Sequence, residues 1–404
     1  MLFMKRYILL LFVACELFAC KDEIMKPKQD DATPPENVTK ITEQPIPGGS
    51  KLTYVLPSSS NLLYVLAEVT TKQGVVRQFK ASYYTNTLQI EGLGDTSRYE
   101  VKLYSVNKSE VRSTPVSFTI HPLEPPFTDV FKSFVMVADF GGVNLKFKNP
   151  TGSELEIGFC GPDSVQKTLT LLDTYFSAAK EGNHTFRGLP AVKARFGVFI
   201  RDKWGNTSDT VFQELTPLFE KMLDKAKFRE IKFPGDGPVY TTEWNIAYPF
   251  IWDGRYSSTF NSPYDGNGNN WLNLSTNGPT DGRPIHVTID LGQTAHISRF
   301  RLNHYYRFIN KGLRKYELWG SNNPSADGSW DNWTKILYYE QEKPSGLQGE
   351  QYNDADAEVW LRGDMANFPD GLPAFRYIRI KCLENWMGNG NMSFSEITFW
   401  GDTQ

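Results

Sequence analysis

Apolar and polar residues alternate in short runs along most of the chain, and the runs are separated by Gly, Pro, Asn and Asp. In Val287-Thr-Ile-Asp-Leu291 the alternation stops at Gly292, the pattern of a half-buried strand entering a turn. Ile297–Leu302, Lys315–Trp319 and Arg376–Lys381 repeat it between long loops. Nearer the N-terminus, Leu52–Leu56, Leu62–Val69, Gln78–Tyr83, Leu88–Ile90, Tyr99–Val106 and Pro115–Ile120 predict strands. In Tyr99-Glu-Val-Lys-Leu103 the apolar residues take one face and the charges the other. Val143–Phe147, Leu155–Phe159, Phe196–Ile200 and Thr210–Gln213 continue the series, with a hairpin tip predicted at Arg201-Asp-Lys-Trp-Gly-Asn206. One stretch carries a helical period. Leu218, Phe219, Met222, Leu223 and Ala226 predict a connecting helix within Pro217–Phe228, and Pro234-Gly-Asp-Gly-Pro238 follows as a breaker. Many short strands with one short helix predict an all-β chain of two-sheet sandwiches, a class that carries its function on loops.

The first residues break the pattern. Lys5-Arg6 precedes the apolar run Tyr7-Ile-Leu-Leu-Leu-Phe-Val-Ala14, too short to span a bilayer as a mature helix, so it reads as a signal peptide. Leu17-Phe18-Ala19-Cys20 resembles the lipobox of bacterial lipoproteins, with Cys20 as the residue that carries the lipid; Cys15 is the rival acceptor. Several acyl chains at one N-terminus would hold the protein on a membrane. Cys-Lys-Asp-Glu23 resembles the export signal of surface lipoproteins in Bacteroidetes-type bacteria, which implies an outer-membrane protein facing the exterior. The alternative is that Lys21-Asp-Glu23 is only a solvated tether. Lys26 to Glu36, rich in Pro and charge, has little to bury and reads as a spacer.

At 404 residues the chain has room for about three ordinary domains. A formal net charge of −3 gives no basic surface for nucleic acid. Of four cysteines, Cys15 falls in the leader, Cys20 is the expected lipid carrier, and Cys160 and Cys382 lie in different predicted domains, so two free thiols are expected. His121, His184, His286, His296 and His304 form no metal-ligand spacing. No nucleophile elbow or phosphate loop is present, and the predicted domains leave no room for a catalytic barrel, so a non-catalytic protein is expected. Aromatic residues make up 14% of the chain, with Trp crowded toward the C-terminus. That excess needs a reason.

Two resemblances organise these readings. Leu93-Gly-Asp-Thr-Ser-Arg-Tyr99 keeps the Leu-to-Tyr spacing of the corner in fibronectin type III domains, where the Tyr hydroxyl bonds back to the backbone. The following segment lacks that corner, since Arg195 stands six after Leu189, and an immunoglobulin-like sandwich is expected for it. Further on, Trp252-Asp-Gly254, a loop with Trp271, Val287-Thr-Ile-Asp-Leu-Gly292, Tyr316-Glu-Leu-Trp-Gly-Ser321, Arg376-Tyr-Ile-Arg-Ile380 and Ser395-Glu-Ile397 follow one another. In that order they resemble the discoidin or coagulation-factor type C family, which has a galactose-binding-like jelly-roll fold and includes many carbohydrate-binding modules. The expected divisions are residues 1–19 as leader, 20–36 as tether, 37–124 and 125–216 as sandwiches, 217–235 as the linker helix and 236–404 as the discoidin-like domain.

The second resemblance implies two kinds of site. A sugar needs an aromatic plate and planar polar groups. Trp271, then His304, Tyr305, Tyr306, Arg307 and Asn310, then Trp386, Asn389 and Asn391 sit on three loops that would converge in such a fold. From these, Trp271, His304, Tyr306, Arg307, Trp386 and Asn389 are the candidate glycan contacts. Each of these aromatics alone also reads as a half-buried core or rim residue, and Trp319, Trp330, Trp333, Trp360 and Trp400 fit core or edge positions better. Members of the family often hold a structural Ca²⁺ with an acidic residue early in the domain and a Glu near its end. Asp253 and Glu396 occupy those places; the alternative is that Asp253 caps the Asp-Gly turn and Glu396 is an exposed strand residue. Asp265-Gly-Asn-Gly-Asn-Asn270 reads as a flexible loop, because its sixth and twelfth positions do not suit a calcium loop. Together these readings imply a surface lipoprotein that binds a glycan for a neighbouring outer-membrane uptake complex. The alternative is an adhesin or accessory subunit whose loops contact a protein.

Overall fold

A computed structural model describes residues 31–163, 168–237, 248–256, 285–305, 310–388 and 392–404. These residues are nearly all β, in two compact units. The first comprises residues up to 136 with 145–184 and 195–213. The second comprises 137–144, 185–194 and the chain from 214 onward.

The first sandwich uses β1 (Thr39–Ile46), β2 (Gly49–Val55), β3 (Leu62–Thr70), β4 (Val76–Ser82), β5 (Thr87–Ile90), β6 (Tyr99–Asn107) and β7 (Val116–Ile120). They form antiparallel sheets of order β1-β2-β5 and β4-β3-β6-β7. Alternation explains the packing. Leu52 and Tyr54 of β2, Val65, Ala67 and Val69 of β3, and Tyr99, Val101 and Leu103 of β6 point into one core, while Glu100 and Lys102 face water. Tyr99 is structural, as expected, but its hydroxyl bonds the side chain of Asp95 at 3.0 Å rather than the backbone. Pro125 is extended, and Pro126 then opens a seven-residue helix, Pro126–Lys132. A first helical turn tolerates Pro because its missing N–H has no partner there anyway.

The second sandwich contributes β8 (Val135–Asp139), β9 (Gly142–Lys148), β10 (Leu155–Pro162), β11 (Leu169–Ser177), β12 (Glu181–Arg187), β13 (Ala194–Asp202) and β14 (Val211–Leu215). The sheet orders are β11-β10-β13-β14 and β12-β9-β8. Within the first unit, Arg77 donates to the carbonyls of Gly92 and of Trp204, and Asn206 also donates to Gly92 O, at 2.9 Å. Gly92 is required at this junction. Its φ is +80°, and a Cβ there would lie 2.0 Å from Arg77 and 2.5 Å from the Trp204 ring.

The predicted linker helix is absent. Its residues form β15 (Lys221–Met222), a single 3₁₀ turn at Lys225–Lys227 and β16 (Arg229–Glu230). β15 pairs with β22 (Glu396–Asp402) and β16 with β17 (Ile285–Asn303), so the segment's backbone groups are satisfied by strand edges instead of by a helix. Its buried apolar residues, Leu223 and Phe228, stand five apart and enter the core of the C-terminal domain, whereas Leu218 and Met222 are exposed. Tertiary packing overrode the helical period.

The C-terminal domain adds β18 (Leu313–Ser321), β19 (Thr334–Glu340), a helix at Asp354–Arg362, β20 (Asp364–Asn367) and β21 (Phe375–Asn385). The main path is β15-β22-β17-β21-β18-β19. β17 is the hinge of the sandwich. Its first half pairs with β21 and its second half with β22 and β20, and the register shifts between Asp290 and Ala295, where Gly292 has φ +64°. Val287, Ile289, Phe300, Leu302, Leu318, Ile378, Ile380, Ile397 and Phe399 fill the core between the two halves. Among the described residues no helix is long and apolar enough to cross a membrane.

Candidate functional site

Strand register gathers the long loops of the C-terminal domain at one end. The end of β17 meets the start of β22 at Asn303–Glu396, the start of β18 meets the end of β21 at Leu313–Asn385, and the end of β19 lies beside Lys315. The start of β17, Ile285, pairs with Cys382 near the same end. Backbone bonds then lace the loops together: Met387 N to Asn310 O at 3.0 Å, Ser393 N to Lys311 O at 3.1 Å, and Ser395 N to Asn303 O at 2.8 Å. The predicted convergence therefore holds for the loops after β17 and β21. Trp271, Tyr306, Arg307 and Asn389 lie outside the described residues.

Beneath these loops is a buried polar and aromatic floor. Asp364 accepts from Tyr316 Oη at 2.9 Å and from Gln341 Nε2 at 2.7 Å, and lies 2.9 Å from His304 Nε2. Gln341 Oε1 in turn accepts from the indoles of Trp360, at 2.6 Å, and Trp386, at 2.8 Å. The two indoles pack edge to face with centroids 6.4 Å apart. Lys343 Nζ stands 3.9 Å from the centre of the Trp386 ring and donates to the carbonyls of Gly349 and Gln351 at 2.6 and 2.7 Å, while Arg314 approaches the same ring. One cation thus ties an aromatic ring to the loop after β19. Burial pushes the Tyr316 hydroxyl well above its ordinary range, with Asp364 adding to the effect, and burial pulls the Lys343 ammonium down.

This arrangement corrects two of the candidate contacts. His304 and Trp386 are only 4% and 5% exposed, with His304 Nε2 beside Asp364 and the Trp386 indole N–H bonded to Gln341. They support the loops from below and offer no open plate to a sugar. Among the described residues of this end, Tyr352, 47% exposed and stacked edge-on against Trp360, presents an aromatic surface to solvent. Gln341, Lys343, Tyr352 and Asp364 were not singled out by motif, because they meet only through the fold. The helix that carries Trp360 did have a local signal: Asn353 and Asp356 form a capping box, and Gly363 ends the helix at φ +78°.

Among the described residues, Asp253 and Glu396 each find their partners within the chain. Glu396 is fully buried, which excludes the exposed strand position. Lys225 Nζ donates to its Oε1, and Gly254 N donates to Oε2 at 3.2 Å. Asp253 is exposed and caps its own turn, accepting from Arg255 N at 2.8 Å. Beside it lies an open depression of about 620 Å³ lined by Lys225, Phe228, Arg229, Glu230 and Trp252 among others. Burial raises the Glu396 carboxyl to about 7, against the pull of the Lys225 ammonium. Among the described residues no three metal-ligating side chains cluster.

Three family models match the chain, each described as a domain of unknown function: DUF4959 over residues 35–122, DUF5126 over 123–226 and DUF5000 over 264–401. No curated protein matches. Among solved structures, the chain is similar to a SusE-like protein, with 26% identity over 69% of this chain and 100% of the other, at a TM-score of 0.44. A family 32 carbohydrate-binding module from Clostridium perfringens NanJ, solved with galactose, is 16% identical over 45% of this chain and 98% of its own, with a TM-score of 0.28. An F5/8 type C domain from Bacteroides fragilis is 14% identical over 46% and 98%, with a TM-score of 0.30.

Proposed function

We propose that this chain is a non-catalytic surface protein that binds carbohydrate at the loop end of its C-terminal domain. The observation that carries the reading is the floor itself. A buried hub at Asp364 and Gln341 holds three loops from different strands in one place, which is how a shallow site is kept ready for a ligand without ordering loops on binding. The ligand class comes from the sequence resemblance. Trp271, Tyr306, Arg307 and Asn389 supply the ring face and hydrogen bonds to hydroxyls, and His304 and Trp386 hold their loops. The two sandwiches serve as spacers, and Cys20 carries the lipid that anchors the protein to the outer membrane, facing outward beside an uptake complex. Many anchored copies compensate for the weak affinity of each site.

A glycan-array screen of the full chain tests this reading, beside a Trp271→Ala, Arg307→Ala double variant. The expected result is binding to a limited set of glycans, lost in the variant while its thermal midpoint is unchanged. Binding that survives both substitutions removes the site, and a blank array for the folded native protein removes the ligand class in favour of a protein partner.

A further inference from the structure

Glu396 stands where the discoidin-like resemblance places an acidic calcium ligand, yet its carboxylate is already matched from within the chain. Lys225 lies on the 3₁₀ turn docked beside β22. Its ammonium donates to Glu396 Oε1 and, at 2.8 Å, to Thr398 Oγ1 on the same strand. The pair is enclosed, with the Lys225 side chain 16% exposed. Calcium requires six to eight oxygen ligands, and an ammonium already hydrogen-bonded to the carboxylate both takes a coordinating oxygen and repels a second cation. The donor set here suits a lysine.

We infer that Lys225 replaces the metal ion in this domain, as a cation built into the chain that secures the start of β22 without calcium. Two consequences follow from the geometry. The domain holds its fold and its loop positions equally well in the presence of a chelator. The segment before residue 230 is an integral part of the C-terminal domain, because it supplies the charge that neutralises a buried carboxylate.

Tryptophan fluorescence reports on this domain, since every Trp except Trp204 lies at residue 244 or beyond. Thermal unfolding of the full chain followed by this signal, in excess calcium chloride and in excess EDTA, should give the same midpoint, and titration of native protein with calcium chloride should release no heat of binding. In Lys225→Met the midpoint should fall by roughly 10 °C, the size expected when one partner of a buried ion pair is removed from a domain of this size. Adding Glu396→Gln to that variant should restore part of the fall, because the unpaired buried charge is gone. A lower native midpoint in EDTA, a calcium-binding heat, or a Lys225→Met protein as stable as the native one overturns the inference. The chelation arm uses the native chain alone, so it decides the question even if Lys225→Met does not fold.

Discussion

The first sandwich and the C-terminal domain each place an aspartate beside a tyrosine hydroxyl, and they treat it in opposite ways. In the first, the Asp95 side chain is 37% exposed and joins Ser97, Lys72 and the hydroxyl of the otherwise buried Tyr99. In the second, Asp364 is 1% exposed, and its partners His304, Tyr316 and Gln341 are buried with it. Water screens the first arrangement, so its bonds contribute little. In the second each group has given up water and must keep its partner. The difference teaches where the chain invests in fixed geometry: the corner closes a spacer, and the buried hub holds the loops of a site.

Substitutions can break that contrast. Asp364→Ala should have the largest effect, about 3 kcal/mol or more, because it strands buried donors on Tyr316 and Gln341. Chemical unfolding followed by tryptophan fluorescence measures it, and a loss under about 1 kcal/mol would erase the distinction. Gly92→Ala comes next, at about 1–3 kcal/mol, from a strained backbone and displacement of Arg77 and Trp204. Calorimetry should show that loss in the first unit with the fluorescence transition unmoved. Asp95→Asn should cost least, under about 1 kcal/mol.

Acid sharpens the last comparison. Burial would raise the Asp95 carboxyl, but Lys72 and the bonds from Ser97 and Tyr99 outweigh it and bring it from 3.8 to about 2. A lowered folded-state pKa contributes stability above 3.8 that disappears as pH falls through about 2. The stability difference between the native protein and Asp95→Asn should therefore be constant above pH 5 and vanish near pH 2. A difference that persists unchanged at pH 2 would show that the charge of Asp95 is not what matters.

Sheet architecture was legible in the sequence because alternation reports directly which face of a strand is buried. All six strands expected in the first sandwich formed, and β1 was missed since its residues, Thr39–Ile46, are largely exposed and show no strong alternation. Pro217–Phe228 misled for the opposite reason: its apolar residues fit a helical wheel, but strand edges and a core pocket competed for them. The loop end was legible as a place, through the order of motifs, and not as a mechanism. Nothing local in Gln341 or Asp364, 23 residues apart, announces that they meet. His304 and Trp386 illustrate the limit, since a residue type suited to binding sugar is equally suited to building the floor below it.

Hydrogen–deuterium exchange of the full chain, with and without the best glycan from the array, tests the central claim most directly. Exchange should slow in residues 304–312, 341–353 and 386–395 and stay unchanged in the strands of the two sandwiches. Protection confined to the sandwiches, with those three loops unaffected, would contradict it.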